Sequence, residues 1–388
     1  MAHSLVPSSI TGHVNLARDI APKFWKGSSD LTVRNYLTFY ILNRYGRMTY
    51  NARSHSQVWN AKIRQPQVLP LVDNIPMEFV NQDTDIQFYT GIKGMGVTDT
   101  MPELEMLLAQ GAPEQIVDRY SEKSIDMVTS LDQSLQRGFY LDGNDSANAY
   151  NYVGIKTPLS YLATGGSDFS IADKVARPNG TYAGQSCALA ANGGTWSAAL
   201  ATKPNASLAK DWPFGQGSSE YDGTAPMVWN YSSSQFGTGS TLWEDNAVRC
   251  TTEAATAMTH RGGFANPGGA PLVCVMASEM FIALKHSFRQ LNRQMVPFTD
   301  GDFGFPMDTL HVDGILYMSD YNVPAGEAYM WSPQYLEMFN VHPQIYKEYG
   351  PEFSMQHRGF LYMATAYGNF KWQPKYLARF VSRTTAAA

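Results

Sequence analysis

Residues 113–139, PEQIVDRYSEKSIDMVTSLDQSLQRGF, constrain the fold of this chain more than any other stretch. Ile116, Tyr120, Met127, Leu131, Leu135 and Phe139 recur at helical spacing and fall on one face. Asp118, Glu122, Asp126, Asp132 and Gln136 are expected elsewhere on the helix. Pro113 stands at a first helical position, where its missing N–H does no harm. Asp142-Gly143-Asn144 supplies the stop signal. A helix of this span is about 40 Å long. With only one apolar face, it is expected to lie across a sheet as a strut.

The flanking segments read as shorter elements. Val33, Leu37, Tyr40 and Ile41 are spaced for a helix over 31–45, although FYILN would also suit a strand. RMTYN and QVWNAKIR read as a hairpin over 47–64 with ARSHS as its turn. Alternation puts Val58, Asn60 and Lys62 on one side and Trp59, Ala61 and Ile63 on the other. MEFVN and DTDIQFYTGI are strand-like, and a short helix is predicted from Met101 to Ala109. Beyond residue 245 the sequence predicts a helix through AVRCTTEAATAMTHR, a buried strand PLVCVM and a helix MFIALKHSFRQLNRQM. Asp313-Gly314 marks a type I′ turn between DTLHV and ILYMSD. Gly368-Asn369 suggests a closing hairpin between RGFLYMATAY and FKWQPKYLARF.

Composition narrows the function classes. Charged residues make up 16% of the chain, against roughly 25% for a typical soluble domain. A chain of 388 residues with so few charges must expose neutral polar groups or bury surface against partners. Interface cores favour Tyr, Trp, Phe and Met, and this chain has 22 Tyr, 8 Trp, 19 Phe and 18 Met. Self-association and a neutral, loop-rich enzyme are both compatible with these numbers. A net charge of −5 argues against a dedicated nucleic-acid binder. Cys187, Cys250 and Cys274 are scattered and form no CxxC pair, so buried thiols are expected rather than a zinc site or disulfides. No signal peptide and no membrane-spanning run are present in the sequence.

No sequence pattern marks catalysis, and no catalytic residue, cofactor site or metal site is assigned. The glycines of GIKGMG have the wrong spacing for a dinucleotide fingerprint. His55 reads as a turn residue, and His286 as a core or interface group. Asp300, Asp302 and Asp308 offer hard oxygen ligands, but without a calcium-loop pattern a solvated acidic loop is the plainer reading. The Trp-rich, Gly/Asn-rich loops of 157–245 also suit a lectin or carbohydrate-active enzyme. A glycosidase needs a carboxylate pair, and nothing singles out two among Glu220, Asp222, Glu244 and Asp245.

The order of these segments resembles the major capsid proteins of tailed bacteriophages. The residues that carry the resemblance are GRMTY…VWNAKIR, the helix 113–139 ending in FYLDGND, GILYMSDYNVPAGEAYMWSP and QHRGFLYMATAYGNFKWQPKYLARF. The resemblance implies an α+β, Hong Kong 97-type fold. An N-terminal arm would occupy 1–35, and a helix with the extended loop 36–70. A peripheral domain would span 71–147 around the spine helix 113–139. An axial domain would run over 148–335, with a possible loop-rich insertion at 165–245, and 336–388 would return to the peripheral domain.

The implied function is a structural shell protein, not an enzyme, that self-assembles through hexamers and pentamers into an icosahedral virion head. Implied partners are portal and scaffolding proteins and possibly a decoration protein, with non-specific contact to packaged double-stranded DNA and none with membrane. The head would assemble in the bacterial host cytoplasm, with scaffolding as a separate protein. Contacts between subunits are expected at Arg47, Tyr50, Trp59, Lys62 and Arg64 of the extended loop. Lys62 is expected to be an ordinary strand residue rather than a covalent cross-linker. An encapsulin-like nanocompartment is the alternative within the same fold.

Overall fold

The apolar period of 113–139 is realised as one unbroken helix of 27 residues, Pro113–Phe139. The computed structural model describes residues 37–45, 47–62, 85–103, 113–161, 174–176, 178–187, 224–233, 236–260, 272–290 and 309–382. The helices described are α1 (Leu37–Arg44), α2 (Pro113–Phe139), α3 (Trp243–His260) and α4 (Ser278–Gln290). The strands are β1 (Met48–Thr49), β2 (Ser56–Lys62), β3 (Asp85–Gly91), β4 (Lys93–Pro102), β5 (Val175–Ala176), β6 (Thr181–Tyr182), β7 (Gln185–Ser186) and β8 (Met227–Asn230). They continue with β9 (Leu272–Met276), β10 (Leu310–Val312), β11 (Ile315–Ser319), β12 (Ala328–Trp331), β13 (Leu336–Asn340), β14 (Lys347–Ser354), β15 (Gly359–Trp372) and β16 (Leu377–Val381).

These strands build two main sheets. A five-stranded sheet runs β1-β13-β15-β14, with β4 along the other side of β15. Met127, Val128, Leu131, Leu135 and Phe139 of α2 are buried. The even-numbered side of β15 is buried with them: Phe360, Tyr362, Ala364, Ala366, Phe370 and Trp372. Side chains alternate across a strand, so Met363 and Tyr367 are left on the opposite, solvent-facing side. A seven-stranded sheet runs β10-β11-β9-β12-β16-β8-β5. Its strand β9 is buried at every position, as a strand covered on both faces requires. Helices α3 and α4 bury Ala247, Cys250, Ala254 and Ala257, and Met280, Phe281, Leu284 and Phe288. Thr251 of α3 is joined to Tyr317 of β11 through their hydroxyls at 2.7 Å.

The two sheets meet at the C-terminal end of α2. The Phe139 ring packs against Phe370 and Trp372 of β15, with centroids 5.1 and 5.0 Å away, and against Trp331 of β12 at 5.7 Å. One fully buried aromatic side chain is worth about 1.5–3 kcal/mol, so this cluster is a strong joint.

Several expectations hold. The 31–45 segment is helical where described, over Leu37–Arg44. Asp313 and Gly314 turn the β10–β11 hairpin with φ of 53° and 80°. Others need correction. There is no 47–64 hairpin: β1 pairs parallel with β13, and β2 pairs antiparallel with β3 across the intervening 63–84. Met101 lies within strand β4, which ends at Pro102, so the helix expected from Met101 begins no earlier than Glu103, and 104–109 lie outside the described residues. Gly368 and Asn369 do not turn the chain, because β15 runs straight through them. A Cβ at Gly368 would collide with the Phe339 carbonyl, so glycine serves close strand approach there. The chain then crosses to the seven-stranded sheet, where β16 lies between β12 and β8. Of the polar residues expected off the apolar face of α2, Asp132 and Gln136 are fully buried. Asp132 is bonded to the Tyr346 hydroxyl, and Gln136 donates to Thr38 at 3.0 Å and to Asp320. Burial of such groups is tolerated only with partners of this kind.

Candidate assembly surface

The β2–β3 ribbon has two unlike faces, set by strand alternation. On the inner face Trp59 stacks on Phe88, with ring centroids 5.5 Å apart and planes at 8°. Tyr182 tilts against both rings, and the Lys371 ammonium lies 5.2 Å from the Trp59 centroid. On the outer face Val58 and Tyr89 stand directly opposite each other. They are 51% and 58% exposed, an apolar pair left half open among the described residues, with one side of the Tyr89 ring against Gly184.

The expected contact residues are therefore dispersed. Arg47 and Tyr50 flank β1 on the five-stranded sheet. The Arg47 backbone is held at both ends, its N–H donating to Leu42 and its carbonyl accepting from Met338. The Tyr50 hydroxyl reaches the Met48 sulfur at 3.3 Å, and partial burial raises its pKa. Trp59 faces inward and is spent on contacts within the chain. Lys62 ends β2 opposite Asp85, and its side chain and Arg64 lie outside the described residues, as do the side chains of Ile116 and Tyr120. Val58 and Tyr89 are not among the contact residues expected from the sequence. The alternation already placed Val58 opposite Trp59, but Tyr89 needed the pairing of β2 with β3.

A second apolar area is the outer side of the five-stranded sheet. Tyr349 and Met363 are cross-strand partners there, both half-exposed. Tyr367 lies over Gly94, where a Cβ would come within 2.5 Å of the ring. Beyond the end of β14, Met355 is 87% exposed.

Among the described residues, Arg379, Glu327 and Lys156 form a cluster of charges. Arg379 is buried, with its guanidinium 2.6 Å from Glu327 Oε1 and donating to the Leu159 carbonyl at 3.2 Å. Lys156 approaches the same carboxylate at 3.5 Å, and the Tyr329 hydroxyl donates to its other oxygen. Burial works against the Glu327 carboxylate, but Arg379 and Lys156 together hold it below its ordinary value. These groups tie β16 and β12 to the 155–161 turn.

The other candidates are not assembled into chemistry. Glu244 and Asp245 occupy the first turn of α3, where acidic groups suit the helix dipole. Glu220, Asp222, Asp300, Asp302 and Asp308 lie outside the described residues. Cys187, Cys250 and Cys274 are free and buried, and burial pushes the Cys187 thiol up to about 12. His55 and His286 are exposed. Among the described residues no cluster of metal-ligating side chains occurs, and no helix is long and apolar enough to cross a membrane.

No protein-family profile matches the sequence, and no curated protein does. Solved structures do match. The chain superposes on the cyanophage A-1(L) capsid subunit with a TM-score of 0.56 and 14% identity, over 89% of this chain and 93% of that one. The capsid of the native GTA particle matches at a TM-score of 0.48 and 9% identity, over 88% of this chain and 90% of that one. The mature capsid of bacteriophage PhiM1 matches at 0.47 and 8%, over 88% and 87%. The chain has the fold of a phage capsid subunit. This is the mixed α+β class expected from the order of its elements.

Proposed function

We propose that this chain is a major capsid protein of a tailed phage, a non-enzymatic subunit that closes into an icosahedral shell around double-stranded DNA. The observation that carries the reading is the superposition on a capsid subunit over 89% of this chain and 93% of the other. In this reading α2 and the five-stranded sheet form the peripheral unit, and the seven-stranded sheet with α3 and α4 forms the axial unit. Hexamers and pentamers are joined where the outer face of the ribbon, Val58 and Tyr89, is covered by a second copy. The shell assembles in the bacterial host cytoplasm with separate portal and scaffolding proteins. A decoration protein has the outer side of the five-stranded sheet available to it. Contact with DNA is non-specific, as the net charge of −5 suggests.

Electron microscopy of the purified chain, expressed with its scaffold where needed, tests this directly. Hollow particles of uniform diameter are expected, and a population of only monomers or small oligomers would overturn the reading. Particles that enclose protein cargo and no DNA during phage growth would favour the encapsulin-like alternative. Changing both Val58 and Tyr89 to Glu should lower particle yield about tenfold or more while the subunit stays folded, since buried apolar anchors dominate interfaces. Boiled in detergent, the particles should run as one band at 43.0 kDa, because Lys62 is assigned no cross-link.

A further inference from the structure

A two-stranded ribbon has no stability of its own in water, so something must fix the direction in which β2–β3 leaves the body. The short hairpin β6–β7 is built to do this. Its turn, Ala183-Gly184, has φ of 51° and 78°. The Ala183 carbonyl accepts from the Tyr89 N–H at 3.1 Å, and the Gln185 amide donates to the Gln87 carbonyl at 2.9 Å. Gly184 lies so close to the Tyr89 ring that a Cβ there would overlap it. The hairpin therefore grips the ribbon along its β3 edge.

The same hairpin is anchored to the body. Tyr182 is 1% exposed, and its hydroxyl accepts from the Trp372 N–H at 2.8 Å while donating to the Phe370 carbonyl at 3.1 Å. The Asn144 amide, just beyond α2, donates to the Thr181 carbonyl at 2.9 Å. Between these two sets of bonds the Tyr182 ring lies against Trp59 and Phe88, 6.3 and 6.5 Å between centroids.

We propose that the β6–β7 hairpin is a latch that sets the angle of the ribbon, with Tyr182 and Gln185 as its positioning residues. The assembly role of that angle rests on the shell reading above, but the latch itself does not. Hydrogen exchange of the full-length chain separates the two. In Gln185→Ala, amides of 56–62 and 85–91 should exchange about two- to tenfold faster, the effect of one lost hydrogen bond, and in Tyr182→Phe, which loses two, by at least as much. In Gly184→Val the acceleration should be larger. Amides of β9 and β11 should keep their wild-type rates in every variant. Unchanged ribbon exchange in Gln185→Ala and Tyr182→Phe would overturn the latch, and so would equal loss of protection in β9. If Gly184→Val does not fold, the two milder variants decide. Where the wild type forms shells, released ribbons should broaden particle diameter, and uniform diameters despite fast ribbon exchange would overturn the link to assembly. A wild type that forms no shells would defeat the proposed function and leave the exchange result standing.

Discussion

Leu131→Asp should yield insoluble or unassembled protein. Leu131 is 1% exposed, midway along the face of α2 that packs on β4 and β15. An aspartate there would place a carboxylate in the apolar core, at a cost of several kcal/mol. That is comparable with the whole stability of many domains, about 5–15 kcal/mol. Gln133→Asp, on the exposed side of the same helix turn, should change stability by no more than about 0.5 kcal/mol. Soluble yield, particle counts and denaturation midpoints measured on both variants check this. Wild-type behaviour of Leu131→Asp would show that the face is not a core.

Removal of Glu327 should be nearly as damaging. Glu327→Ala strands Arg379, which is 5% exposed and has that carboxylate as its ionic partner at 2.6 Å. Breaking a buried pair by removing one member costs about 3–5 kcal/mol. The effect should carry a pH signature. The folded-state pKa of Glu327 lies below the ordinary value of 4.5. The stabilisation is therefore complete above that ordinary value, and it is lost as pH falls through the lower, folded-state value. Denaturation of the wild type should steepen with acid in that window, whereas Glu327→Gln, with no charge to lose, should give a flatter profile from a lower starting stability. Parallel pH profiles would remove Glu327 from the acid response.

Local signals in the sequence carried the long helix and the turns. The face of Met127, Leu131, Leu135 and Phe139 needed only a helical period, and the Asp313-Gly314 turn only the tolerance of those residues for positive φ. The errors lie where distant segments meet. QVWNAKIR has the alternation of a strand, but its partner is separated from it by 63–84, and the nearby RMTYN was the wrong choice. Gly368-Asn369 has the chemistry of a turn and is used otherwise. Glycine admits the Phe339 carbonyl, while Asn369 donates to Thr90 and the Gly91 carbonyl and accepts from the Val153 N–H. Asp132 and Gln136 are polar by composition, yet Tyr346, Thr38 and Asp320 make them core residues. The proposed contact surface was half legible. Val58 followed from alternation, whereas Trp59, the more conspicuous aromatic, is consumed inside the chain.

The Phe139 joint has a mechanical consequence. A helix about 40 Å long ends in a knot of rings drawn from both sheets, so it acts as a beam welded at the elbow of the molecule. Close-packed interiors deform little under load. Bending between the sheets would have to break the ring contacts of Phe139 with Trp331, Phe370 and Trp372 together. On the proposed shell reading, a subunit set in both six-fold and five-fold positions would have one stiff frame, and its adjustment to curvature would fall to the appendages that leave it.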